Sequence, residues 1–462
     1  MPQPGRVAAR GIVLPLALSQ FIASYAATNM NVAISAIAAD IGTTVFGVQT
    51  AITLFTLTMA ALMVPGSKLT DIWGRKTCLV AGLVVYGAGA VLATFAQGLG
   101  LLIAGYSLLQ GIGSALLIPP IYILITVAFD DVAARARYFG VVSGAAGLGA
   151  AAGPLVGGLV TTQFGWRASF LLQVLVVAWI VVLARRIVDP PRPRPLPRFD
   201  VLGAVLAAAG MVLLVGGVLR TAGAGWTGGP LAWMAAGLAV LAGFAVHIRA
   251  REKKGEAPLC SPALFRDRTS NLGLVTQHLQ WLVLQGSFFV ISVFLQQVRG
   301  YNAIQTGLVL VPATIGILLS SAAAPRLARR HSQRRLIRAG FSTTTAGLLL
   351  LLALARADSG VLSFVPGLFL LGVGIGIMLT ASVNLVQSSW PDSAQGEISG
   401  VSRSVSNLGS SLGTALAGSI LTGAAHPGGH PFAVALVTLG GFALLGVLSA
   451  LLIPRRDLTR EG

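Results

Sequence analysis

Basic side chains do not sit among lipid tails, and this chain arranges nearly all of its own on one side of a membrane. Its hydropathy divides into about fourteen apolar stretches of roughly 20 residues, the length that crosses a bilayer as a helix. With the N-terminus inside and the stretches alternating, only Arg167, Arg220, Arg299 and Arg356 of the 32 Lys and Arg residues fall on the outer side. Basic loops stay cytoplasmic during insertion, so the asymmetry constrains span count and orientation together.

Composition agrees. The chain is 55% hydrophobic and 10% charged, where a soluble domain carries about 25% charged residues. A soluble protein of this makeup could not cover its surface. The net charge of +18 would otherwise raise nucleic acid as a partner. Concentrated in short loops beside spans, it is better explained by topology and anionic lipid headgroups, and no nucleic-acid partner is expected. Cys78 and Cys260 fall on the inner side, where thiols stay reduced, and are not expected to pair. The first apolar stretch is long enough to remain as a span, so no cleaved signal peptide is expected. The richness in Ala, Gly, Leu, Val and Arg suits a GC-rich bacterial genome. The expected address is a bacterial cytoplasmic membrane, multi-pass, with both termini cytoplasmic.

The expected spans are 12–35, 46–66, 77–97, 101–125, 138–162, 168–188, 200–221, 230–249, 271–297, 304–325, 339–355, 361–386, 398–423 and 433–453. Continuous apolar runs are helices here, because strands of a membrane barrel would alternate polar and apolar. Two polar segments punctuate the series. Asp189 to Asp200 reads DPPRPRPLPRFD, an extended basic linker, and 250–270 forms a second polar loop. The expected organisation is an N-terminal six-helix bundle over 1–190, a linker with two inserted spans over 191–270, and a C-terminal six-helix bundle with a cytoplasmic tail over 271–462. The halves look like repeats. Leu69 to Gly82 and Leu327 to Gly340 share one spacing and a basic cluster between. A six-plus-six duplication is the architecture of many secondary transporters, although two basic loops can also be alike by chance.

Two motifs stand out. The loop SKLTDIWGRK, Ser67 to Lys76, combines Asp71 with a Gly74-Arg75-Lys76 turn. The glycine permits the turn, and Asp71 could accept hydrogen bonds at a helix N-terminus. An ordinary inside loop with a solvated Asp fits the same residues. The fifth stretch places Gly140, Gly149, Gly153, Pro154, Gly157 and Gly158 along one helix. Glycines at four-residue spacing flatten a helix face, and Pro154 removes a backbone hydrogen bond and bends it. Such a helix suits a moving interface, or tight static packing.

On these residues the chain resembles the major facilitator superfamily, in particular its fourteen-span drug:proton antiporter branch, over nearly its whole length. Ser67–Lys76 is similar to the superfamily's signature loop, with Ser67 in place of the usual first Gly, and Gly140–Gly158 is similar to the antiporter motif. Phe164-Gly165-Trp166-Arg167 resembles the turn before span six. Phe199-Asp200 with Gly203 resembles the start of the inserted pair. Phe294-Leu295-Gln296-Gln297, Gly300-Tyr301 and Gly307 through Pro312 resemble the exit of span nine and the start of span ten. Asn31-Val32-Ala33 resembles the end of the branch's first-span motif. The resemblance implies an all-α integral membrane fold, two six-helix bundles plus two extra spans, rocking about a central cavity. It implies that Asp71, Gly74, Arg75 and Lys76 latch the outward-open form against the helix beginning near Glu397, and that the glycine helix works at the bundle interface. Efflux, antiport and multidrug resistance follow from the same likeness.

The chain departs from that pattern at two charges. Ala26 stands where the branch has an Asp, and Ser107 where it has an Arg; in the family these serve cation recognition and proton coupling. No acid reaches a span centre, where a charge would have flagged function. Arg403, about two turns into its span, either snorkels inward or places a charge in the cavity. His278, with Trp281 and Gln285 on the same face, is the candidate proton site; a neutral His bonded to a neighbouring carbonyl is the alternative. Asn29, Asn31, Gln110, Tyr122, Trp281, Gln285 and Arg403 are the candidate cavity residues. Other buried amides glue helices together. His426 and His430 lack further ligands, so no metal site is expected, and no cofactor.

The leading reading is a monomeric secondary transporter exporting a hydrophobic or amphipathic small molecule, with lipids around it and proton exchange left open. The alternatives are a proton-independent facilitator or lipid-like flippase and, from another class, a non-transporting receptor or scaffold. No enzyme is expected, because nucleophile, acid, base or metal ligands do not cluster at one depth. No phosphate-binding G-x-x-x-x-G-K-[ST] loop is present for a primary pump.

Overall fold

Glycine at positive φ decides where several of the long helices stop. α3 (Val45–Trp73) starts at Thr44, whose hydroxyl accepts from the Gly47 N–H, and ends at Gly74, φ 98°. α4 (Arg75–Thr94) begins on the other side of that one glycine. Only a residue without Cβ takes this conformation cheaply, so a reversal between two spans needs no longer loop. The same device separates α7 (Val132–Phe164) from α8 (Trp166–Ala184) at Gly165, φ 83°. Just beyond it, Trp166 Nε1 donates to Asp40 Oδ2 at 3.0 Å, and Arg167 pairs with the same carboxylate. The hydrogen bond from Arg167, then that from Trp166, holds the Asp40 carboxyl below its usual range.

The computed structural model describes residues 4–129, 132–188, 198–356, 358–391, 394–422 and 429–454. The proline-rich linker at 189–197, His426 and the tail from 455 lie outside the described residues. The remaining helices are α1 (Pro4–Asn29), α2 (Ile34–Asp40), α5 (Leu99–Leu102) running through a π-helical turn (Ile103–Gln110) into α6 (Gly111–Ala128), α9 (Val201–Ala224), α10 (Gly228–Lys253), α11 (Arg268–Val293), α12 (Ala303–Arg330), α13 (Gln333–Leu354), α14 (Val365–Gln387), α15 (Gln395–Thr422) and α16 (Gly429–Leu452).

α1, α3, α4, α6, α7 and α8 pack on one another as a first group, and α11 to α16 as a second. The groups meet along two seams, α3 against α15 and α7 against α12. α9 lies over the first seam and touches both of its helices, while α10 packs outside α9. Leu57 of α3, Val215 and Val218 of α9 and Ala415 of α15 form one buried apolar cluster there.

Among the described residues twelve helices are long and apolar enough to cross a membrane. A thirteenth is added if Gly140–Ala150 and Ala152–Phe164, bent by 40°, count as one span. The expectation of fourteen therefore exceeds what length and hydropathy select, and the helix left out of that set is α15. No described residue of α15 is exposed. A helix that faces protein on all sides has no lipid to match and can carry polar residues all round.

The second polar loop is also less solvated than its composition implies. Leu259, Cys260 and Leu264 are buried, and Cys260 and Leu264 pack with Ile248, Leu274, Val386, Ile398 and Val401.

Candidate functional site

The seam between α7 and α12 is built on missing side chains. Gly149, Gly153 and Gly157 of α7 lie against Phe21, Thr28 and Asn29 of α1, within the first group. Gly158 and Pro154 face the other way, toward α12: Gly158 against the Ala303 carbonyl, and the Pro154 carbonyl against Gly307. Gly140 has open space around it. Pro154 has no N–H, so the Ala150 carbonyl four residues earlier loses its helical donor. The Thr28 hydroxyl lies 3.1 Å from that carbonyl and can donate to it. The bend in α7 is thus stabilised from α1.

The α3–α15 seam is a ladder of hydroxyls and amides on backbone carbonyls. Ser404 donates to Ala60 O at 2.6 Å, Ser411 to Thr53 O at 3.0 Å, and Gln49 Nε2 to Thr414 O at 2.9 Å. On α15's other side Ser402 donates to Gln277 Oε1 of α11 at 2.6 Å. At the end carrying the Gly74 turn, Ser67 donates to Gly396 O at 3.2 Å and Lys68 Nζ lies 3.4 Å from Glu397 Oε1. Lys68 and Ser67 thus make the described contacts to the start of α15. Asp71 lines a small cavity with Lys68, Leu259 and Glu397, and Lys76 Nζ donates to the Arg185 carbonyl at the end of α8, at 3.1 Å.

Glu397 also receives the inserted segment. Its Oε1 accepts from the Ser261 N–H at 2.6 Å. Three residues' worth of loop, Leu259 to Ser261, lie between Glu397 and a second carboxylate, Asp200. Asp200 caps α9, accepting from Gly203 N at 3.0 Å on Oδ1; His247 Nε2 lies 2.9 Å from the same oxygen, and Oδ2 accepts from Leu259 N at 3.1 Å. Asp200 is 2% exposed. Burial alone would raise its pKa, but the hydrogen bonds from His247, Gly203 and Leu259 outweigh it and hold the carboxyl below its usual range. Burial, and then the Glu397 carboxylate, push the neighbouring Cys260 thiol up to about 12. One chain of contacts therefore runs from α9 and α10 through the loop to α15 and α3. Sequence reading recognised Phe199-Asp200 only as the start of the insert. Gly203 is a local partner of Asp200, but His247 and Leu259 lie 47 and 59 residues away, beyond the reach of local pattern.

The opposite end has its own ties between the groups. Gln296 accepts from Ser35 N at 2.9 Å and donates to Asn31 O at 2.9 Å, and Gln297 donates to Ser35 Oγ at 2.8 Å. Ile304 N donates to Thr162 Oγ1 at 3.1 Å. The groups are thus in contact at both ends.

Between the ends, the candidate residues divide. Gln285 Nε2 donates to Ala27 O at 3.3 Å across the groups. Its Oε1 and the Oδ1 of Asn31 are buried with no hydrogen-bond partner among the described residues. Arg403 of α15 bonds the Tyr122 hydroxyl of α6, with its guanidinium 5.2 Å from the ring centre. That is a contact between groups rather than an escape toward the surface. Asn29 is buried against Gly157, and Trp281 is half-buried. His278 Nδ1 lies 3.2 Å from the Val405 carbonyl, so α15 holds the ring. Gln110 lies elsewhere. It donates to Gln173 at 3.1 Å, which also accepts from Tyr86 at 2.7 Å, a cluster inside the first group. Ala26 and Ser107 are both fully buried. Tyr106, beside Ser107 in the π-helical turn, donates to the Ala26 carbonyl at 3.2 Å, and Ser107 donates to Ala51 O at 2.7 Å. The two positions that carry charge in the resembled branch are thus buried and neutral here, one beside the Tyr106 hydroxyl and the other bonded to α3. Among the described residues no group of three or more metal-ligating side chains occurs.

Two groups of helices, pressed together along two seams with an amide-lined interface, is a recognised transporter architecture, and the family model of the Major Facilitator Superfamily matches residues 16–414. The chain belongs to the major facilitator superfamily. It is a multi-pass membrane transporter, not an enzyme. It is 30% identical over 429 residues to the probable actinorhodin transporter of Streptomyces coelicolor, covering 91% of this chain and 73% of that one. It is 30% identical over 370 residues to the multidrug efflux pump LfrA of Mycolicibacterium smegmatis, covering 80% and 72%. With the cephamycin export protein CmcT of Amycolatopsis lactamdurans the identity is 30% over 447 residues, covering 94% and 91%. Among solved structures, a peptide transporter POT in complex with sulfate superposes with a TM-score of 0.69 over 98% of both chains at 14% identity, which speaks for the fold alone.

Proposed function

We propose that this protein exports an amphipathic or hydrophobic small molecule of the antibiotic or drug class across a bacterial cytoplasmic membrane, with both termini cytoplasmic. Residues 1–190 and 271–462 act as two six-helix bundles, and 191–270 inserts the pair α9 and α10, giving fourteen spans when α7 and α15 are counted. The protein works as a monomer. The bundles rock about the interface of α1, α6, α11 and α15. Lys68, Ser67 and Glu397, steadied by the Gly74-Arg75-Lys76 turn and Asp71, fasten the cytoplasmic end when the outer end opens. Gln296, Gln297, Ser35 and Asn31 fasten the outer end when the inner end opens. The alternation follows from geometry, since one rigid rotation cannot keep both sets of ties.

The observation that carries the substrate class is an interface whose described mid-span residues include a cation, Arg403 on Tyr122, and no carboxylate. Ala26 and Ser107 offer no charge, while Asn31 Oδ1 and Gln285 Oε1 offer acceptors with no partner in the described chain. Such a lining suits a neutral solute with hydroxyl or amide donors rather than an organic cation. Relatives named for actinorhodin, cephamycin and multidrug export support the class.

For coupling, His278 of α11 is the candidate proton site, its ring held on the Val405 carbonyl of α15 within the second bundle. The test is flux of an uncharged amphipathic dye and of a cationic dye in proteoliposomes, with and without an imposed pH gradient. The neutral dye is expected to move faster. His278→Ala is expected to abolish gradient-driven flux and spare dye exchange. Gradient-driven flux equal to that of the native protein would remove His278 from the mechanism, and preferential movement of the cation would overturn the substrate class.

A further inference from the structure

A cavity of about 630 Å³ opens at the helix ends of the second bundle, where α12, α13, α14 and α16 finish or begin. Four guanidinium groups line it, those of Arg330, Arg334, Arg335 and Arg338, and no carboxylate does. None of the four makes an ion pair among the described residues. Arg334 Nη2 donates to the Leu451 carbonyl at 2.6 Å, which fixes that side chain to the end of α16. α13 starts at the cavity, and its N-cap Ser332 makes no side-chain capping bond, so the first-turn N–H groups add positive potential. Gln333 Oε1, also on the lining, is buried without a partner. It is an acceptor, and it asks for a hydroxyl or ammonium donor within reach of the arginines.

The internal repeat shows how the two bundles differ at this place. Aligning Leu69 to Gly82 with Leu327 to Gly340 sets Asp71 opposite Arg329. The first copy carries an acid, and Lys68, three residues before it, lies 3.4 Å from Glu397 of the other bundle. The second copy has an arginine at that position, and Arg330, Arg334, Arg335 and Arg338, which follow it in the chain, line the cavity. Leu385, Ile453 and Pro454 supply an apolar wall beside them. Several arginines with no ion pair among the described residues, an acceptor needing a donor, and an apolar wall at the helix ends describe one chemistry.

We propose that this cavity binds a phosphate anion, and that the phosphate is the headgroup of an anionic phospholipid of the surrounding leaflet, whose hydroxyl or amine satisfies Gln333. The site lies within one bundle, away from the solute interface, so its occupancy reads independently of which solute is carried.

The test uses the full-length protein. Phosphatidylglycerol is titrated into detergent-solubilised protein and bound copies are counted by native mass spectrometry, for the native chain, R335Q/R338Q, R335K/R338K, and a control with two exposed basic residues of α10 neutralised, R249Q/K253Q. At about fivefold per arginine near a surface, the double Gln variant is expected to bind roughly thirtyfold more weakly. The Lys variant, which keeps the charge and removes the planar fork, should fall between. The α10 control should bind as the native chain does. Equal binding by native protein and R335Q/R338Q, or equal loss in the α10 control, overturns the site. A parallel thermal-shift series with inorganic phosphate separates the sources: stabilisation by free phosphate that matches phosphatidylglycerol would overturn the lipid assignment.

Discussion

Gly158→Ala tests the α7–α12 seam with a single methyl. Two effects of opposite sign compete. Alanine is the better helix former by about 1 kcal/mol. The added Cβ, however, would lie 2.6 Å from the Ala303 carbonyl oxygen and 3.1 Å from Ile304 Cα. Both are backbone atoms, and they cannot swing aside. The start of α12 is pinned by the reciprocal capping of Asn302 and Gln305 and by the Ile304 N–H on Thr162. The methyl is accommodated only if the two helices separate, and overpacking of this kind costs about 1–3 kcal/mol. The helix-forming gain is present in both conformations and cancels from their ratio, whereas the overpacking cost of about 1–3 kcal/mol falls only on the conformation in which this end is closed. That corresponds to a roughly 5- to 150-fold shift in the closed-to-open ratio. Gly140→Ala is the internal control, since nothing lies within 4 Å of the methyl there. Spin labels introduced as Phe164→Cys and Leu308→Cys, positions 78% and 54% exposed, report the separation of the two helices by pulsed dipolar spectroscopy in nanodiscs. Cys78 and Cys260 are replaced in the same background. The expected result is a longer, broader distance distribution and slower dye export for Gly158→Ala, with neither change for Gly140→Ala. Identical distributions and rates for the native chain and Gly158→Ala would refute the claim that this glycine sets the closed seam.

Further outcomes follow from the hydrogen bonds. Thr28→Val keeps the side chain's shape and removes the only side-chain donor described for the Ala150 carbonyl; a loss of about 1–2 kcal/mol and faster amide exchange in α7 around the bend are expected. Asp200→Asn places an amide N–H₂ among donors that need an acceptor, and a loss of about 1.5–3 kcal/mol in thermal or chemical unfolding is expected. Because the Asp200 carboxyl titrates below its usual range, its contribution is fully present above the ordinary carboxylate pKa and is lost as pH falls through the lowered value. The stability gap between native and Asp200→Asn protein should close on acidification below about pH 4; a gap that widens there would reverse the assignment. Cys260, with its thiol pushed up to about 12, should resist maleimide in a Cys78→Ala background, and Asp200→Asn should speed its labelling by releasing the loop. Unchanged labelling would detach Cys260 from that hub.

Legibility in the sequence tracked the range of the interactions. Hydropathy located most spans because lipid contact acts on each helix separately. The stretch expected over 398–423 is the helix α15, although hydropathy and length alone do not select it, because Ser404, Ser411 and Ser402 bond α3 and α11 rather than lipid and polarity there marks burial. Spacing alone picked out the α7 glycines, yet only the structure separates Gly149, Gly153 and Gly157, which face α1, from Gly158, which faces α12, and from Gly140, which faces open space. The same holds for polar residues. Gln110 and Gln285 look alike in sequence, both amides inside spans. One is absorbed by Gln173 within its bundle, and the other reaches across to Ala27. Gln296 and Gln297 stood in a quoted motif without a role, because Ser35 and Asn31, their partners, lie more than 250 residues away in the chain. The Asp200 hub was the least legible, since a single acid after a proline-rich linker carries no local signature of three converging donors.

α9 has a consequence for how a membrane-dissolved solute could reach the interface. Between Phe46 and Ile72 no residue of α3 is exposed, and none of the described residues of α15 is. The inserted pair therefore roofs one side of the molecule, and acyl chains have no contact with that seam. The α7–α12 side has no such roof: Leu155, Leu159, Leu308 and Ile315 flank it and are 42–54% exposed. A lateral portal, if the rocking motion opens one, can face the bilayer on that side alone. The two extra helices thus turn a nearly two-fold-symmetric machine into one with a front and a back.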